Sequence, residues 1–110
     1  MNTESIEKFS QSKGLEIAQI LTEEYDSADF EINSREIERE IYDVATSYSR
    51  ILFFESKKFL QESVREDIKS HLASRFDPKK VKEMKDVDLI AHWIKSETIK
   101  TLEHKKIFLT

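Results

Sequence analysis

Acidic side chains dominate the residues that could do chemistry. Glu23, Glu24, Asp26, Asp29 and Glu31 crowd one short stretch, and Glu36, Glu40 and Asp43 follow at i, i+4 and i+7. The second spacing puts three carboxylates on one flank of a helix. Residues 1–45 hold 12 acids and 4 bases, net −8, whereas residues 46–110 hold 10 acids and 14 bases, net +4. Such asymmetry speaks to partners more than to fold. Arg35 and Arg39 offset the acidic flank only in part. The expected site is a protein-docking surface made of Glu23, Glu24, Asp26, Asp29, Glu31, Glu36, Glu40 and Asp43. Tyr25, Phe30 or Tyr42 would add apolar contact, and the partner would present a basic surface.

Catalytic readings are thinner. The absence of Cys removes disulfides, thiol nucleophiles and zinc-thiolate sites. His71, His92 and His104 are isolated. Asp88 and His92 fall at i, i+4 and could share a metal, but two ligands are too few and no third is marked. No Ser sits in a G-x-S-x-G elbow, and a single Gly leaves no phosphate-cradling loop. No catalytic residue, metal or cofactor is expected. Arg65 and His71 have the R-x5-H spacing and in this resemble the HEPN class of small helical ribonucleases. That resemblance covers these two residues and implies an alternative function, a helical ribonuclease using Arg65 and His71. On one straight helix they would point about 120° apart, so a shared site would need a helix break or a dimer.

Lys79, Lys80, Lys82 and Lys85 surround Asp77-Pro78, and Lys57 and Lys58 precede another segment. Two short helices beside a turn suit helix-turn-helix geometry. The turn lacks Gly, the chain's pI is about 5.4, and the acidic half opposes a phosphate backbone. No direct nucleic-acid contact is expected.

The elements that must position these residues are helices. In 110 residues there is one Gly and one Pro, too little turn chemistry for an all-β sandwich or barrel. Apolar residues at 38% can build one core, and charged residues at 36% give a salt-laced surface. Ile6, Phe9, Ile17, Ile20 and Leu21 make a first helical stripe. Gly14 interrupts it, so two pieces are expected, Glu4–Lys13 and Leu15–Tyr25. Asp26–Ile32 forms a loop. Asn33 and Glu36 make a capping box, with Ile32 and Ile37 as its hydrophobic staple, and a helix starts at Ser34.

Ile37, Ile41, Val44, Tyr48, Ile51 and Leu52 form the next stripe, within about 120° of arc. Leu60, Val64, Ile68 and Leu72 would fall on the opposite side of a continuous cylinder. A break over residues 53–56, with Ser56 as N-cap, gives each segment one buried face. Asp77-Pro78 starts a short helix, Lys79–Met84. Asp86 or Asp88 opens the last, with Val87, Ile90, Ala91, Ile94, Thr98 and Leu102 on one face. His104, Lys105 and Lys106 suit its C-terminal dipole. Tyr42, Phe53, Leu89 and Trp93 lie off these stripes, as a second core face or as exposed anchors.

The expectation is an all-α, single-domain bundle of four to five helices. Met1–Phe9 carries Glu4 and Glu7 and no apolar run, and Ile51–Phe54 is far too short to span a bilayer, so a cytoplasmic protein without membrane contact is expected. The expected function is non-catalytic. A small acidic protein, monomeric or homodimeric, would bind and inhibit another protein, in the style of immunity proteins or phage-encoded inhibitors of nucleic-acid enzymes. A dimeric scaffold module is a further alternative.

Overall fold

The computed structural model describes residues 1–26, 34–57 and 59–105. Five helices run α1 (Thr3–Asp26), α2 (Ser34–Ser56), α3 (Glu62–Ala73), α4 (Pro78–Glu83) and α5 (Asp86–His104). Among the described residues there is no strand, and the fold is an all-α bundle. No helix among them is long and apolar enough to cross a membrane.

The core is organised around α5. Leu89, Ile90, Ala91, Trp93, Ile94, Thr98 and Leu102 are all buried, because α1 and α2 flank this helix while α3 packs on it from another side. Leu89 and Trp93 therefore belong to a second core face, as a central bundle helix requires. One contiguous cluster joins them to Ile17, Ile41, Ile68 and Val81.

Gly14 does not divide α1, which is a single helix. Ser10, Gly14 and Ala18 recur at i, i+4 and i+8, and all three are buried. A Cβ built on Gly14 would lie 2.7 Å from Cβ of Glu97 and 2.9 Å from the Thr98 backbone nitrogen. Gly is thus used for the close approach of α1 to α5, and the helix tolerates its lower propensity.

The helix from Ser34 starts where the sequence places it. Asp26, expected to open the loop Asp26–Ile32, ends α1, and the rest of that loop and the capping residues Ile32 and Asn33 lie outside the described residues. Along α2 the inner face is Ile37, Ile41, Ala45 and Ser49, all buried. The Ser49 hydroxyl donates to the Val87 carbonyl at 2.8 Å, tying α2 to the first turn of α5.

The expected break exists but lies later in the chain. Residues 53–56 remain helical, and Lys57 turns the chain at φ 53°, with its N–H on the Phe53 carbonyl at 3.0 Å. The N-cap of α3 is Gln61 rather than Ser56, whose hydroxyl stays on the Phe53 carbonyl. From there Val64, Ile68 and Leu72 form the buried stripe. Asp77 caps α4 by accepting from the Lys79 N–H at 3.0 Å, with Pro78 in the first turn, so α4 starts at the expected Asp77-Pro78 signal. Lys85 is the N-cap of α5, which places Asp86 and Asp88 in its first turn, where carboxylates suit the dipole.

Candidate functional site

The acidic surface begins with the way α1 and α2 share α5. Both helices pack mainly on α5 and touch each other along a shorter line. Their facing margins therefore stay partly open. Ile17, Ile20, Leu21, Ile41, Val44 and Glu40 line a narrow cleft of about 50 Å³ between them. Ile20 and Val44, expected in the core, are 54% and 37% exposed because they sit on the lips of this cleft. Glu36, Glu40 and Asp43 are exposed on the adjoining flank of α2, and Glu23 and Glu24 are exposed at the end of α1. Arg35 and Arg39 are exposed as well. Of the other expected site residues, Phe30, Asp29 and Glu31 and the side chains of Tyr25 and Asp26 lie outside the described residues.

On the α1 side of this surface Lys13 is engaged. The Lys13 ammonium reaches Glu16 Oε2 at 3.2 Å and lies 4.7 Å from the centre of the Tyr48 ring. The Tyr48 hydroxyl donates to Glu16 Oε1 at 3.1 Å. These two bonds, Lys13 first, hold the Glu16 carboxyl below its ordinary value. Lys13 thus neutralises Glu16.

Arg65 and His71 are drawn to different neighbours. Arg65 makes a two-pronged contact with Asp86, Nε to Oδ1 at 2.7 Å and Nη2 to Oδ2 at 3.2 Å. The same Nη2 donates to the Leu60 carbonyl at 3.1 Å, and Asp86 Oδ2 accepts from the Leu60 N–H at 3.3 Å. The pair fixes the α2–α3 turn onto the start of α5, and the carboxylate raises the guanidinium pKa. His71 instead lies against Trp93, ring centres 4.6 Å apart, and its buried Nε2 has no hydrogen-bond partner among the described residues.

Asp88 and His92 both meet Tyr42, through different atoms. Asp88 Oδ1 accepts from the Tyr42 hydroxyl at 3.1 Å, and burial followed by this carboxylate raises the Tyr42 pKa. Tyr42 is therefore committed to α5 instead of the acidic surface. His92 sits between the rings of Tyr42 and Phe76, at 4.9 and 5.2 Å. Burial first, and Lys95 second, lower the His92 pKa, with Asp88 acting in the opposite sense. Among the described residues no group of three His, Asp or Glu side chains converges as a metal site.

Sequence reasoning missed the corner after α2. Phe54 and Phe59 are 81% and 86% exposed there, the two most exposed large apolar side chains among the described residues. Beside them Phe53, Phe59, Met84 and Val87 line an open, largely apolar pocket of about 450 Å³, completed by Arg65, Lys85 and Asp86. Three Phe and two Lys within residues 53–59 were the available signal. That stretch is too short and too mixed to have a helical period. Comparison with protein-family models, with curated proteins and with solved structures finds no match to this chain.

Proposed function

We propose that this chain is a non-catalytic protein that docks on a basic, apolar-anchored surface of another protein and inhibits it by occlusion, as small inhibitors of nucleic-acid enzymes do. The observation that carries the reading is the pairing of an open apolar cleft at Ile20 and Val44 with exposed carboxylates at Glu40, Glu36, Asp43, Glu23 and Glu24. Apolar contact at the centre of an interface supplies affinity, and a charged rim supplies steering and specificity. Among the described residues, the two side chains of the ribonuclease alternative are committed to structural contacts, Arg65 to Asp86 and His71 to Trp93, and Asp88, weighed as a metal ligand, accepts from Tyr42.

Capture of a basic protein from the native host identifies the partner, and reversal of Glu36, Glu40 and Asp43 to Lys tests the surface. The reversal changes the local charge by six units. The partner's association rate should fall most at low salt, where screening is weakest. These side chains are exposed, so melting should be preserved, at a cost within about 0.5 kcal/mol per site. The matched control reverses Lys79, Lys80 and Lys82 to Glu. Binding that survives the first triple substitution and disappears with the second would move the site to the other half of the molecule.

A further inference from the structure

We infer that the groove between α1 and α2 receives a basic amphipathic α-helix of the partner, laid along the groove with its apolar stripe on Ile20, Val44 and Ile51. The inference rests on the docking reading above and names the element that docks.

The shape of the groove favours a helix. Glu16 meets Tyr48, whereas Ile20 and Leu21 share the cleft with Ile41 and Val44. Later residues of α1 thus meet earlier residues of α2, and the two helices run in opposite directions. The floor between them is Ile17, Leu21 and Ile41, all buried. The exposed apolar margin is longer than the cleft itself, because Ile51 is 50% exposed on the same side of α2. Ile51 lies about 20° round α2 from Val44 and about 10.5 Å farther along it. That rise separates positions i and i+7 of a helix lying alongside, the spacing by which an amphipathic helix is anchored in a groove. The cleft volume of about 50 Å³ is far below the ~300–1,000 Å³ of small-molecule sites, so it suits a ridge of side chains and not an enclosed ligand.

The charges beside the groove set the sign of the partner. Glu40 lines the cleft, and Glu36 and Asp43 follow it round α2 within about 100° of Val44. The bases of α2 lie behind these carboxylates, Arg50, Arg39 and Arg35 at about 120°, 140° and 180° from Val44. Arg50 acts on Tyr42, which faces α5. On α1, Glu16, Glu23 and Glu24 lie within about 60° of Ile20, as does Lys13, which is paired with Glu16. Six carboxylates and one lysine therefore border the apolar margin. Glu23, Glu40 and Asp43 make no ion pair among the described residues. In sequence, residues 27–33 add Asp29 and Glu31 and no base. A helix with Lys or Arg on both flanks of its apolar stripe matches this border, and an acidic or neutral one does not.

The test is a titration of the whole isotope-labelled chain with four acetylated and amidated peptides, read by amide chemical shifts. AKKLAKKLAKKLAK places its three Leu on one helix face. AKLKKAKLKAKKLA has the same composition with the Leu spread around the helix. AKKLAKPLAKKLAK carries a helix-breaking Pro, and AEELAEELAEELAE reverses the charge. The first peptide should shift the amides of Ile20, Glu40, Val44 and Ile51 saturably and bind at least ~10-fold tighter than each of the others, as expected when one apolar stripe is buried. Ile20→Gln combined with Val44→Gln should weaken it at least ~10-fold, and the exposure of both side chains means that the fold should be retained. Glu40→Lys combined with Asp43→Lys leaves the apolar margin intact and should weaken it most at low salt, where screening is weakest. Equal binding of the first peptide and any of the other three would overturn the inference, as would an absence of shifts at these four residues. Shifts of the same amides with protein concentration alone would assign the groove to a second copy and overturn it as well. If the four peptides bind equally but the captured partner is lost on reversal of Glu36, Glu40 and Asp43, the helix is wrong and the docking reading stands. A captured partner indifferent to that reversal removes the docking reading, and the inference with it, whatever the peptides do.

Discussion

Replacing Gly14 separates two physical explanations of opposite sign. If Gly14 is only a flaw in α1, Gly14→Ala restores helix propensity and stabilises the protein by about 1 kcal/mol. If Gly14 is present for the approach of α5, the new Cβ meets Glu97 Cβ at 2.7 Å, the Thr98 nitrogen at 2.9 Å and the Glu97 carbonyl carbon at 3.0 Å. Favourable carbon contacts lie near ~3.5–4.0 Å, so roughly 0.5–1 Å of separation must be found. Two of those three atoms are backbone, so a rotamer change cannot supply it. The helices must part, loosening Ser10, Ala18 and Thr98, which are fully buried. Overpacking of this kind costs about 1–3 kcal/mol, which outweighs the propensity gain across most of that range. Gly14→Leu sharpens the contrast, because Leu has nearly the propensity of Ala and far more bulk. The expected order of urea midpoints is Gly, then Ala, then Leu, with exposed Ser12→Ala as the control that reports propensity alone. The melting temperature should fall by about 4–8 °C per kcal/mol lost. An Ala variant more stable than the parent, with Leu close behind it, would refute the close-approach reasoning.

Asp86→Ala should destabilise by about 1–3 kcal/mol in urea titration, because it strands the N–H of buried Leu60. An unchanged midpoint would mean that water replaces the carboxylate without loss. The His92 pKa is lowered in the folded chain from an ordinary 6.5, so the unfolded chain binds more protons between the two values. Stability is then highest above the unfolded value and falls as pH drops through the window below 6.5. His92→Leu should flatten this slope in urea midpoints recorded from about pH 8 to 5. A slope unchanged by the substitution would assign it to other groups.

Local signals were legible and neighbour-dependent ones were not. The Asp77-Pro78 start of α4 and the start of α2 at Ser34 depend on residues within one turn, and the sequence predicts both closely. The break before α3 followed from the phase difference between two apolar stripes. Phase averages over several residues, so it indicates that a break is needed without marking Lys57 as the turning residue. Gly14 was misjudged because propensity treats a helix alone, whereas the reason for Gly stands on α5. Val44 and Ile51 fit the 3.6-residue period as well as Ile37 and Ile41 do, yet they are exposed. Period gives an apolar arc, but only the neighbouring helices decide which edge of that arc is covered. For the acidic surface, the positions of Glu36, Glu40 and Asp43 were legible from i, i+4 and i+7, whereas the apolar cleft beside them was not.

The cleft and the corner trace to the placement of α5 against α2. Tyr42 of α2 reaches Asp88 and His92, whereas Ser49, seven residues farther along α2, reaches Val87. The helices thus run in opposing directions, and α2 continues past Ser49 beyond the start of α5. The part beyond, which includes Phe53 and Phe54, has no long helix to pack on, and Met84 and Val87 cover Phe53 only in part. Toward the other end, α5 takes the Ile41 and Ala45 side of α2, so α1 meets the margin of α2 that carries Val44 and Tyr48 and leaves the cleft ajar. A larger side chain at Val44 would narrow the cleft but could not close the corner. The two surfaces can therefore be altered separately, because they share a supporting helix but no contacting residue.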